Sequence, residues 1–77
     1  MRTYFEVSAF RQESNLSKPN LEQRATFTSL NPAMLIAKKW AKKYWRVEVS
    51  DVIADEHGFI EMDEWVACWE NGTRTLQ

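Results

Sequence analysis

Residues 37–45 read AKKWAKKYW, a four-residue unit repeated almost unchanged, and this repeat restricts the backbone more than any other stretch of the chain. A period near four belongs to an α-helix, whose side chains recur on one face at i, i+3, i+4 and i+7. Ala33, Ile36, Ala37, Trp40, Ala41 and Tyr44 share one such face. Ser29 or Asn31 can cap the start, and Pro32 is tolerated in the first turn because the amide it lacks would have no helical acceptor there. The spacing predicts a helix ending near Trp45. Its inner face is rich in alanine. Its outer face carries Lys38, Lys39, Lys42, Lys43 and Arg46, with Leu35 among them and Trp45 at the edge.

The flanking segments change period. Residues 3–10, TYFEVSAF, place Phe5, Val7 and Ala9 on one side and Tyr4, Glu6 and Ser8 on the other, the alternation of a half-buried strand. Residues 11–22 are polar and aperiodic and read as an exposed connection, after which RATFT at 24–28 returns to strand-favouring residues that can pair with the first strand. Beyond the helix, VEVSDVIA at 47–54 alternates, Asp55-Glu-His-Gly58 is a turn, and residues from Phe59 onward are extended again, so a hairpin is expected. Setting Ala54 opposite Phe59 brings Ile53 to Ile60 and Val47 to Val66. That register puts Ile60, Met62, Val66 and Cys68 on the core face, and Phe59, Trp65 and Trp69 on the outer one. A bulge near Asp63 or Glu64 would change which Trp faces outward, and residues 63–70 have a helical alternative closed by Asn71-Gly72; strand is the preferred reading. The tail, 73–77, is expected to fray.

These elements define a single α+β domain, β-β-α-β-β, in which an antiparallel sheet of about four strands packs on one helix, with an extra short C-terminal strand or helix as the alternative ending. The expected core is Phe5, Val7, Phe27, Val49, Ile53, Ile60 and Val66 against Ile36, Ala37, Trp40 and Tyr44. A chain of 77 residues buries only about 60% of the surface its unfolded form exposes, so its core depends on large side chains. Four Trp, four Phe and two Tyr meet that need. Cys68 is the only cysteine, which excludes an intramolecular disulfide and a cysteine-based zinc site. The N-terminal MRTYFEVSAF lacks a leader pattern and no apolar run approaches a membrane span, so the chain reads as soluble and unexported.

The net charge of −1 hides a strong polarity. Residues 23–47 hold six cations and no acid, whereas residues 48–77 hold eight acids with Arg74 as their one cation. The lysine-rich helix face suits phosphates, with Trp45 placed to stack on a base, or it is a solvated face whose late lysines favour the negative end of the helix dipole. The acidic hairpin with Val52, Phe59, Trp65 and Trp69 suits a basic protein surface, self-association, or a covering by the 11–22 connection. Residues 53–64 resemble an EF-hand loop with Gly58 at the sixth position and Glu64 at the twelfth, but Ile53 stands where an Asp is needed and a strand precedes it, so a hairpin turn is favoured. His57 is alone, and no nucleophile-base pair, phosphate loop or metal motif is present. Catalytic residues, metal ligands and cofactors are therefore not expected.

The order strand, polar loop, strand, capped alanine-faced helix, then V-E-V-x-x-x-x-A-D-E-x-G-F-I and a Trp-bearing strand resembles small phage-encoded anti-CRISPR proteins, in particular compact inhibitors of type I surveillance complexes. The resemblance covers most of residues 3–70 as element order. It implies a non-enzymatic inhibitor in the host bacterial cytoplasm that binds a CRISPR-associated protein complex and blocks its target DNA binding. Lys38, Lys39, Lys42, Lys43, Trp45, Arg46, Phe59, Trp65 and Trp69 are the candidate contact residues. The rivals are a direct nucleic-acid-binding module using the lysines and a homodimeric structural protein using Trp65 and Trp69.

Overall fold

A computed structural model describes residues 2–11 and 20–76. The elements are β1 (Arg2–Arg11), β2 (Asn20–Phe27), α1 (Leu30–Ala41), β3 (Arg46–Ala54), β4 (Ile60–Glu70) and β5 (Thr73–Leu76). All five strands form one antiparallel sheet in the order β2-β1-β3-β4-β5. The chain is thus α+β, with one sheet and one helix. One expectation changes: residues 73–76, expected to fray, form a fifth strand. Residues 63–70 are strand, the preferred reading. Of the expected 11–22 connection, Arg11 closes β1 and Asn20 to Glu22 open β2, with Arg11 and Glu22 ion-paired at 3.1 Å; the rest lies outside the described residues.

The helix sits against the sheet through its smallest side chains. Ala33, Ala37 and Ala41, one per turn, are buried against Val7 and Ala9 of β1, Val47 and Val49 of β3, and Ala67 and Trp69 of β4. Alanine lets the two backbones approach closely, and Phe5, Phe27, Met34, Ile36, Trp40, Tyr44 and Val66 pack around the margin half-exposed. The expected inner face is correct in direction, but its aromatics flank the contact instead of filling it. Trp40 and Tyr44 meet edge to face with centroids 6.2 Å apart.

The helix stops four residues earlier than its period predicts. Ser29 opens it in an extended conformation without a side-chain cap, and Pro32 lies in the first turn. At the other end the Trp40 carbonyl accepts from the amides of Lys43 and Tyr44 at 2.9 and 2.8 Å, and the Trp45 carbonyl accepts from Asn71 at 2.8 Å. The chain is pulled out of the helix because Arg46 must enter the centre of the sheet between Phe10 of β1 and Glu70 of β4. A central strand satisfies its backbone on both sides, whereas another helical turn would project into solvent.

The β3–β4 register also departs from expectation. Ala54 pairs with Ile60, Ile53 with Met62, Ser50 with Trp65, Val49 with Ala67 and Val47 with Trp69, with irregularities between Ile53 and Ala54 and between Val49 and Ser50. Glu61 and Val66 are the extra residues. Each bulge shifts the alternation by one, so the side chains beyond it change faces. Ala67 and Trp69 consequently face the helix, while Cys68 lies on the far face beside Ser50, Val52 and Ala54, all of them buried. Ile60 and Met62, expected in the core, are exposed.

Candidate functional site

One end of the molecule is basic. Lys38 and Lys39 occupy the last turn of α1, Lys42 is its C-cap and Lys43 follows; all four are exposed. Among the described residues none of these lysines has an acidic partner, and the Lys43 ammonium lies 5.6 Å from the Tyr44 ring centroid. Trp45 is half-buried in the turn after the helix. Arg46 leaves the group altogether. On the far face of β3 its Nε donates to Glu48 Oε2 at 2.6 Å, a second nitrogen lies 3.8 Å from Glu70, and the guanidinium stands 5.5 Å from the Trp65 ring centroid. Burial pulls its pKa down, but the bond to Glu48 and the carboxylates of Glu48 and Glu70 outweigh it, so the pKa is raised. The expected five-cation ridge is therefore four lysines, because strand pairing carried Arg46 to another surface.

The other end is acidic. Asp55 organises the β3–β4 turn: its Oδ1 accepts from the amides of His57 and Phe59, both at 2.9 Å, while its own amide donates to the Phe59 carbonyl at 2.9 Å. Gly58 completes the turn at φ +87°, a conformation costly for other residues. A short side-chain acceptor followed three residues later by glycine is the turn chemistry the sequence offered, and the segment that resembled an EF-hand loop is this hairpin. Beyond the turn, Phe59 (71% exposed), Ile60, Met62 and Trp65 (57% exposed) stand among Glu61, Asp63 and Glu64. Asp51, Glu61, Asp63 and Glu64 form no ion pair with any described residue.

The two ends are far apart. A β-carbon built on Gly72, in the β4–β5 turn, would lie 3.8 Å from the Ala41 carbonyl, so the lysine end sits beside that turn. The acidic hairpin closes the opposite end of β3, whose nine residues span roughly 27 Å at the usual rise. The lysines and the hairpin acids are thus separated in space as in sequence, while Glu48 and Glu70 stay at the basic end with Arg46.

Trp69 does not join either surface. It is 6% exposed in the core, with the Arg74 guanidinium 5.2 Å from its ring centroid. The pairing of Trp65 with Trp69 on one outer face is thereby corrected. Ile60 and Met62 take Trp69's place in the exposed apolar set, a substitution that depends on bulges no alternation pattern reveals. A cleft of about 460 Å³ lies at the acidic end, lined by residues including Arg2, Tyr4, Thr26, Thr28, Ala54 and Gly58. Among the described residues no group of three or more His, Cys, Asp or Glu side chains is arranged to hold a metal, and no helix is long and apolar enough to cross a membrane. No family model, curated protein or solved structure matches the chain.

Proposed function

We propose that this protein is a non-enzymatic inhibitor from a phage or mobile element, which occupies a nucleic-acid-binding surface of a host CRISPR surveillance complex and so blocks its target DNA. The observation that supports this reading best is the β3–β4 hairpin: Glu61, Asp63 and Glu64 have no ion-pair partner among the described residues and are interleaved with exposed Ile60, Met62 and Trp65. A surface that binds nucleic acid is basic because it must neutralise phosphates. Carboxylates held in a strand complement such a surface, and apolar side chains among them supply the burial that charge alone does not.

A second reading is a direct nucleic-acid binder, favoured by the four exposed lysines at the other end, which have no acidic partner among the described residues. Capture from nuclease-treated lysate of bacteria expressing a type I complex separates the two. Tagged wild type is expected to retain the complex, a Glu61→Lys, Asp63→Lys, Glu64→Lys variant to lose it, and a Lys38→Glu, Lys39→Glu, Lys42→Glu, Lys43→Glu variant to keep it. No retention by wild type refutes the CRISPR reading for that subtype. Direct binding of single-stranded DNA, with a log–log salt slope of about −3 for four phosphate contacts, would establish the lysine reading instead.

A further inference from the structure

The outer edge of β4 is paired for only part of its length. β5 reaches Cys68, Trp69 and Glu70, while the remainder, from Ile60 to Ala67, pairs with β3 on one side and with no described strand on the other. That leaves the edge from Ile60 to Ala67, whose outward amides and carbonyls are met by no described strand.

We propose that this edge is a docking site for an extended basic segment of a partner protein, which adds to the sheet as a sixth strand beside β4. The proposal rests on the binding-protein reading above and names its mode and partner chemistry. Strand addition draws affinity from the main-chain ladder and specificity from side chains on the two faces of the new pair. On the far face β4 presents Ile60, Asp63 and Trp65; on the helix side it presents Met62 and Glu64. Each face thus offers an apolar contact beside a carboxylate. The complementary strand carries Lys or Arg together with Val, Ile or similar residues.

Charge decides against the alternative occupant, a second copy of this chain. Two β4 edges paired antiparallel about a two-fold near Asp63 would set Asp63 opposite its own copy, or Glu61 opposite Glu64 of the copy, with the remaining acids close by. Like charges opposite one another destabilise a strand pair. The same acids that guard the edge from self-pairing attract a basic strand.

The test uses the full chain with two labelled, end-capped peptides of about nine residues, long enough to span the edge: one alternating Lys and Val, the other alternating Lys and Pro. Both carry the same charge, but proline has no amide to donate. The Lys–Val peptide is expected to bind roughly tenfold or more tightly than the Lys–Pro peptide, and to slow hydrogen exchange about tenfold or more at outward amides between Ile60 and Ala67. In the Glu61→Lys, Asp63→Lys, Glu64→Lys variant this preference should pass to a Glu–Val peptide; Trp65→Ala, which keeps the charge, should weaken Lys–Val binding. Equal binding of the two Lys peptides, or protection confined to other strands, overturns the proposal. So does protection without peptide that grows with protein concentration alongside a dimer in sedimentation, since a second copy then holds the edge. If β4 is protected by the peptide but no CRISPR complex is captured, the host target is wrong and the edge stands. Capture without β4 protection removes the edge and leaves the function.

Discussion

Trp65 and Trp69 differ by four positions and by almost everything else. Trp69 is packed with Val47, Ala37 and Ala67 in the core, whereas Trp65 stands outside with Arg46 near its ring. Truncating a fully packed aromatic removes its burial and leaves a cavity, at a cost of about 3–5 kcal/mol. Trp69→Ala is therefore expected to lower the urea midpoint sharply, given that small domains hold only about 5–15 kcal/mol in total. Trp65→Ala should cost under about 1 kcal/mol, losing a partly solvated cation–π contact. Urea titration followed by far-ultraviolet circular dichroism distinguishes them, and comparable midpoints would mean that Trp69 is not in the core. A regular strand sets both tryptophans on one face, which is how the alternation in the sequence reads. The bulge at Val66 reverses the assignment of Trp69.

At the scale of elements, two turns determine how the C-terminal strands pair. Asn71 and Gly72 have φ of 52° and 80°, the two left-handed positions that join β4 to β5. Such a two-residue turn matches the natural twist of a hairpin, and Asn-Gly is its strongest sequence sign. That sign lay in the chain but competed with a reading of Gly72 as a helix stop. Gly72→Ala is predicted to lower the melting temperature by about 4–8 °C, equivalent to about 1 kcal/mol in a domain of this size. The cause is backbone strain, since the nearest atom to the added carbon is at an ordinary 3.8 Å. In the β3–β4 turn, Asp55→Ala should cost about 1–2 kcal/mol by freeing two amides, while Asp55→Asn retains the acceptor and should cost under about 0.5 kcal/mol. Equal losses from Asn and Ala would show that the carboxylate charge, not the acceptor oxygen, holds the turn.

Across the whole molecule, the four lysines gather at one end of β3 and the turn acids Asp55, Glu56 and Glu61 at the other, roughly 27 Å away along the strand. At 0.1 M salt the Debye length is about 10 Å, so attraction between the ends is already screened while repulsion within each end is not. Raising salt from about 0.1 to 0.5 M should therefore raise the melting temperature by a few degrees. The Glu61→Lys, Asp63→Lys, Glu64→Lys variant mixes the signs at the hairpin and should lose the acidic end's share of that dependence. A wild type that melts lower in added salt would show that the ends attract more than each repels itself. The same polarity underlies both functional readings, because each end is complementary to a partner of the opposite sign.

The sequence by itself determined the period of each segment, hence one helix with an alanine face, strands on both sides of it, and the separation of positive from negative charge. These are local properties: repeat spacing and charge order survive whatever packing follows. Only the tertiary structure decided where the helix ends, which Trp is buried and which strand edge is left open. Trp45 gives its carbonyl to Asn71, Arg46 enters between β1 and β4, and two extra residues in β4 shift its faces. Each of those outcomes rests on a partner distant along the chain. A backbone hydrogen bond to a neighbouring strand, or a side chain fitted against the helix, outweighs the local preference that would have continued the helix or kept the strand regular.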